Sequence, residues 1–282
     1  METIRISRIM QETSKQYIQK GKTIGFVPTM GALHRGHISL VKRARNENDI
    51  VTASIFVNPI QFGPKEDFDS YPKDMEGDME KLQKEGVDIL FMPDNKNMYG
   101  ERLSTYINVR EISDKLCGAF RPGHFTGVAT AVCKLFNIVK PSRAYFGQKD
   151  FQQTVVIRRM VQDMNMDVEL VICPTIREKD GLAMSSRNIY LSSNEKASAV
   201  VIYGTLLSAS QLIKSGGSNP ADVKKHMINK LMSNPLVKEI QYAGVYDMDT
   251  LEEMAEFKKE NLLAIAVKIG NTRLIDNMLV EL

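Results

Sequence analysis

Over the first two thirds of the chain, short β-branched apolar runs alternate with longer stretches whose apolar positions recur every three or four residues. This pattern predicts parallel strands joined by crossover helices. The runs at 23–28 (TIGFVP), 50–58 (IVTASIFVN), 87–93, 143–147 and 167–173 predict strands. Stretches at 37–47, 74–85, about 126–139 and 150–164 predict helices. In the last of these, Phe151, Val155, Ile157, Met160, Val161 and Met164 form a stripe at helical spacing, as expected of a face packed into a core.

After Pro174 the pattern changes. A polar loop leads to a helical pattern at 194–214, a SGGSNP break, and a second helix at 220–233 that Asn219 or Ser218 would cap ahead of Pro220. Strand-like runs at 240–247, 262–270 and 273–282 follow with short connections, which predicts a small antiparallel sheet. The expected fold class is α/β, with a Rossmann-like parallel-sheet domain over residues 1–175. A smaller α+β C-terminal domain with an antiparallel sheet is expected over residues 176–282.

At 282 residues and 43% hydrophobic content, the chain is long enough for two modest cores. A net charge of +3, from 37 basic and 34 acidic side chains, is too balanced for bulk affinity to nucleic acid or membrane. Any anionic ligand must therefore be held by local groups. Cys117, Cys133 and Cys173 have no CxxC spacing and leave one thiol over under any disulfide scheme, which points to a reducing compartment. The N-terminus lacks a signal-like apolar core, and no stretch nears the roughly 20 apolar residues of a membrane span. A cytoplasmic protein is expected, with neither nucleic acid nor membrane as partner.

Four segments carry candidate chemistry. In FVPTMGALHRGHISLV (26–41), a strand ends near Pro28, Gly31 permits a tight turn, and a helix starts near Gly36 to His37. Strand carboxyl ends of parallel sheets bind ligands, and a helix N-terminus offers free N–H groups to an anion. His34 and His37, about one turn apart, can both lean over one phosphate. A metal pair is the rival reading, but no HExxH pattern or third ligand lies nearby; capping or packing is the common role of an isolated histidine. In FGQKDFQQ (146–153), Lys149 leaves a strand end, with Asp150 as a candidate helix N-cap. In DGLAMSSRN (180–188), Ser185, Ser186 and Arg187 offer many donors to phosphate oxygens from a loop between the two expected domains, placed to close over a nucleotide. A fourth segment, 54–72, places Asn58, Pro59, Gln61 and Phe62 after a strand, where amides can read hydroxyl and carboxylate groups.

With these residues in view, the chain resembles the pantoate–β-alanine ligases of the HIGH-motif nucleotidyltransferase superfamily. The likeness rests on VPTMGALHRGH, SIFVNPIQFGPKEDFDSYP, RPGHFTGVATAV, FGQKDFQQ, DGLAMSSRN and RLIDNMLVEL, which occur in family order over almost the whole chain. Gln148 departs from it, since many members carry glutamate there. The resemblance implies a C–N ligase of pantothenate and coenzyme A biosynthesis that joins (R)-pantoate to β-alanine, with ATP as substrate and Mg²⁺, through pantoyl adenylate. It implies catalytic roles for His34, His37 and Lys149. It implies ATP contacts at Met30, Gly31, Gly147, Gln148, Lys149, Asp150, Ile176, Met184, Ser185, Ser186 and Arg187, besides the two histidines. Gln61 and Gln153 are implied for pantoate, Gln61 also for β-alanine, and the assembly implied is a homodimer. A nucleotidyltransferase that stops after nucleotide transfer, or a nucleotide-binding module without chemistry, would share several of these motifs.

Overall fold

The computed structural model describes residues 1–64 and 66–282, so position 65 of the 54–72 segment lies outside it. Six parallel strands form the first sheet: β1 (Glu2–Ile4), β2 (Ile24–Thr29), β3 (Ile50–Ile55), β4 (Ile89–Phe91), β5 (Arg143–Gly147) and β6 (Glu169–Cys173). Their spatial order is β1-β4-β3-β2-β5-β6. The chain winds outward from β2 through β3 and β4, then returns to lay β5 on the other side of β2. The β2–β5 seam is thus where winding reverses, and a crevice opens beyond the carboxyl ends of those two strands.

The crossover helices include α1 (Ser7–Gln19), α2 (Arg35–Glu47), α3 (Met75–Lys84), α4 (Asn95–Tyr99), α5 (Cys117–Phe120), α6 (His124–Val139) and α7 (Phe151–Asp163). β1, α1, α4 and α5 were not expected. β1 is three residues long and leaves little local signal, whereas α1 is as amphipathic as α2, so its helical periodicity was available in the sequence and was overlooked. The expected strand at 50–58 stops at Ile55, because Asn58 and Pro59 enter a 3₁₀ turn. Helix α6 is apolar nearly all round and is buried accordingly, with Val128, Ala129, Val132, Leu135 and Phe136 in the main core. Each of the larger side chains among these contributes about 1.5–3 kcal/mol by leaving water.

The C-terminal part contains α8 (Ser193–Lys214), α9 (Pro220–Met232), β7 (Val237–Tyr246), β8 (Glu260–Ile269) and β9 (Thr272–Glu281). The strands form an antiparallel sheet in the order β7-β8-β9, as their short connections demand. Ser192 and Glu195 close a capping box on α8, and Asn219 caps α9 by accepting from the Asp222 N–H. Ser218 instead donates to the Leu212 carbonyl. Contrary to the expectation that nothing approaches a membrane span, α8 is 22 residues long with a mean hydropathy of 1.2. Its Ala199, Ile202, Leu206, Ala209 and Ile213 pack with α9 and the antiparallel sheet, so its apolar length serves a core. Cys117, Cys133 and Cys173 are free thiols, the first and last buried.

Candidate functional site

The turn after β2 sets the first wall of the crevice. Gly31 and Ala32 both have positive φ, 88° and 50°, a conformation that glycine adopts freely at the tighter of the two positions. The buried Asp78 carboxylate accepts from the Leu33 N–H at 2.7 Å and holds the turn. His34 then becomes the N-cap of α2: its Nδ1 accepts from the Gly36 N–H at 3.1 Å, while Nδ1 of His37 accepts from the His34 N–H at 3.3 Å. A neutral imidazole that accepts at Nδ1 carries its proton on Nε2, so both rings present an Nε2–H donor beyond the helix terminus. The ring centroids are 4.1 Å apart.

Burial lowers the His34 pKa to about 4, and the Lys149 ammonium adds to the effect. His37 falls to about 3, first from burial and then from His34. His124, at the start of α6, falls to about 4 through burial and the neighbouring Arg121. Its Nδ1 donates to the Gln61 carbonyl at 2.8 Å, and its Nε2 accepts from Arg121 at 3.0 Å. Thus three of the four histidines of the chain line the crevice, all as neutral rings near pH 7. Between pH 6.5 and about 4 the unfolded chain binds protons at these positions that the folded chain refuses. Stability is therefore full above pH 6.5 and falls as pH is lowered, by up to about 1.4 kcal/mol per unit for each ring. Thermal melts from pH 7.5 to 4.5 should show this loss, and His37→Gln should flatten the slope; an unchanged slope would refute the assignment for His37.

Lys149 lies in the 3₁₀ turn Gln148–Asp150 that joins β5 to α7, with 19% of its side chain exposed and its ammonium 3.6 Å from the Asp150 carboxylate. Asp150 is the N-cap position of α7 but makes no side-chain capping bond, so the expected cap is replaced by this ion pair facing the crevice. Gln61 is fixed from two sides. Its Oε1 accepts from Asn58, which in turn accepts from the Tyr99 hydroxyl, and its Nε2 lies 3.2 Å from the Met30 sulfur. The 59–61 turn sits directly on α6, where a Cβ at Gly127 would collide with the Ile60 carbonyl. Only glycine fits there without moving Gln61.

The crevice has a volume of about 240 Å³. Met30, His34, His37, Gln61, Gly147, Lys149, Asp150 and Gln153 line it from the parallel-sheet side, and Ile176, Met184, Ser185, Ser186 and Arg187 line it from the following loop. Two residues expected at the nucleotide do not line it. Gly31 is committed to the turn, and Gln148 points to the C-terminal sheet, donating to Asn277 at 3.2 Å. The serine-rich loop is also engaged differently from the expectation of free donors. Ser185 accepts from the Arg187 N–H, Ser186 donates to the Ala32 carbonyl, and the Arg187 guanidinium forks the Asp67 carboxylate at 2.9 and 2.7 Å. The loop thereby straps the crevice to the 62–71 segment, aided by the Tyr190 hydroxyl on the Ser70 carbonyl at 2.9 Å.

Sequence reasoning gave no role to Arg121, His124, Tyr71 or Thr29, which also line the crevice. The first two lie in the RPGHFTG motif, whose histidine after Pro-Gly was an available signal. Among the described residues, no group of three His, Cys, Asp or Glu side chains is placed to hold a metal ion. The arrangement can therefore do one kind of work well: two neutral N–H donors at a helix N-terminus and a nearby ammonium, in a partly closed crevice, can receive negative charge on phosphate oxygens.

Residues 2–279 match the profile of the family described as pantoate-beta-alanine ligase. A pantothenate synthetase from Thermodesulfovibrio yellowstonii is 61% identical over 281 residues, all of both chains. Among solved structures, pantothenate synthetase from Thermus thermophilus superposes with a TM-score of 0.93 at 42% identity, covering 99% of each chain. A Francisella tularensis pantoate-beta-alanine ligase, solved with beta-gamma ATP and beta-alanine, gives a TM-score of 0.79 at 36% identity over 99% of this chain and 97% of that one. A profile match over nearly the full length and this level of identity place the chain in the pantoate–β-alanine ligase family.

Proposed function

We propose that this chain condenses (R)-pantoate with β-alanine, converting ATP to AMP and pyrophosphate through enzyme-bound pantoyl adenylate. The observation that carries the reading is the convergence of His34, His37 and Lys149, from two separate strand ends, on one crevice at the β2–β5 seam. The pantoate carboxylate is ionised at neutral pH and attacks the α-phosphorus without a general base. A P–O bond forms there as the bond to pyrophosphate breaks. The β-alanine amine then attacks the acyl carbon; a C–N bond forms, AMP departs with the C–O electron pair, and the amine loses a proton.

In the first step, negative charge moves onto the departing pyrophosphate, and this is where the Nε2–H groups of His34 and His37 and the ammonium of Lys149 act. Their low pKa values make the imidazoles hydrogen-bond donors rather than proton donors. Met30, Gly147, Ile176 and the Met184–Arg187 loop form the nucleotide pocket. For Ser186 and Arg187 to reach phosphate, they exchange the Ala32 and Asp67 contacts for ligand oxygens. Gln61 and Gln153 face pantoate. Residues 1–175 form the catalytic domain and residues 176–282 the lid that keeps water from the reactive mixed anhydride.

Mg²⁺ fits this crevice as a phosphate-bound ion, since magnesium requires only one or two carboxylates besides phosphate and water, and Asp150 supplies one. When bound, the ion neutralises phosphate charge. The reading places the protein in the cytoplasm as a homodimer, and light scattering should return twice the chain mass of 31.8 kDa.

The test is pyrophosphate release from ATP, Mg²⁺ and pantoate, with AMP appearing in step with pantothenate once β-alanine is added. Pantoate-independent release, or transfer of a whole nucleotide to a phosphorylated acceptor, would reject the reading. Gly127→Ala should push the 59–61 turn off α6 and raise the KM for pantoate about tenfold, with ATP use little changed. Gln61→Ala should act in the same direction. A normal pantoate response in both would remove Gln61 from the pocket.

A further inference from the structure

Asn277 lies on β9 of the C-terminal sheet, with 4% of its surface exposed, opposite Ala264 in the ladder with β8. Its side chain crosses the boundary between the two sheets and spends its hydrogen bonds on the turn that carries Lys149. Nδ2 donates to the Gln148 carbonyl and the Lys149 carbonyl, each at 2.9 Å, and Oδ1 accepts from the Gln148 amide at 3.2 Å. An amide is the one small side chain able to satisfy two carbonyls and an N–H donor together.

The strand that holds this amide is itself pinned. The Asp276 carboxylate, 4% exposed, takes a bidentate bond from Arg177 at 2.5 and 3.0 Å and a further bond from the Asn277 N–H at 2.8 Å. Arg177 in turn stacks 4.0 Å above the Tyr203 ring of α8. A continuous chain of contacts thus runs from α8 through Arg177, Asp276 and Asn277 to the backbone at Gln148 and Lys149. Asn277 is absent from the lining of the 240 Å³ crevice but lines an adjoining cavity of about 90 Å³, whose wall also includes Lys149, Asp150 and Gln153.

We propose that Asn277 is a positioning residue for Lys149: it fixes the backbone from which the ammonium projects, so the C-terminal sheet sets where charge is neutralised during adenylation. This rests on the reading that Lys149 acts on the phosphates. A displacement of about 1 Å in a group that must meet a transition state can cost about 100-fold in rate.

Asn277→Asp preserves volume but replaces two donors with a carboxylate facing two carbonyls. Its kcat for pantoate-dependent pyrophosphate release should fall about 100-fold, with KM for ATP within about threefold of the parent. A purely structural role would produce the same loss whether or not the lysine is present. The deciding measurement is therefore the same substitution in a Lys149→Ala background, where positioning predicts a further loss below about threefold. Equal losses in both backgrounds, or a normal kcat in the single variant, would overturn the proposal. If Lys149→Ala alone has normal turnover, the role of the lysine has failed instead, and the two failures are thereby distinct. Should Asn277→Asp melt at assay temperature, Gln148→Leu provides the second route. It frees the Asn277 amide to rotate and should lower kcat several-fold, again only when Lys149 is present; an unaffected kcat would count against the proposal.

Discussion

Lys149→Ala is expected to lower turnover by about 1,000-fold while ATP affinity changes only a few-fold. Removing one preorganised donor to a developing charge costs about 10²–10³ in rate, and a charged donor lies at the upper end. The ammonium sits in a crevice that exposes 19% of its side chain, so little water competes for the charge it meets. In the proposed ground state α2 and the 184–187 loop also hold ATP, so binding is expected to survive better than catalysis. Single-turnover pyrophosphate release separates the two quantities. Near-normal turnover in a folded Lys149→Ala protein would remove the lysine from the mechanism. Lys149→Arg should recover little, because a planar fork on a longer stem cannot reproduce a compact point charge in the same place.

The second large effect concerns His37. His37→Ala should lower turnover about 100-fold and leave ATP binding within a few-fold, since the lost Nε2–H donor matters most as pyrophosphate departs. His37→Asn, which retains an N–H donor at a shorter reach, should fall between the two. At saturating Mg²⁺ the kcat/KM profile, which reports the free protein, should also show no imidazole limb near pH 6.5, because burial holds His34 and His37 at about 4 and about 3 in the free protein. A limb at pH 6.5 that disappears in His37→Ala would show a titrating imidazole and contradict the neutral-donor role.

Much of the fold was legible because the strands of a doubly covered parallel sheet are apolar throughout and their helices amphipathic, which gives strong local signals at β2, β3, β5, α2 and α7. Short elements such as β1 and α5 were not legible, since their stability comes from what they pack against, whereas α1 carried a legible amphipathic pattern that was overlooked. The histidines and the lysine were legible as strand-end residues, because glycine and proline mark where β2 turns and a helix must begin after each strand. The state of the serine-rich loop was not, because Ser186 and Arg187 find partners at Ala32 and Asp67, more than 100 positions away in the chain.

The sequence by itself determined the order of elements, the presence of two sheets of opposite kind, and the residue types suited to phosphate, since these depend on local periodicity and turn chemistry. Only the tertiary structure decided that β5 pairs with β2, which sets Lys149 across from His34 and His37. Only it decided that burial keeps the imidazoles neutral, and that Asn277 reaches back across the sheets to the lysine turn. The physical reason is the same in each case: strand order, desolvation and long-range hydrogen bonds depend on which distant segments exclude water together, and no local pattern in the chain encodes that.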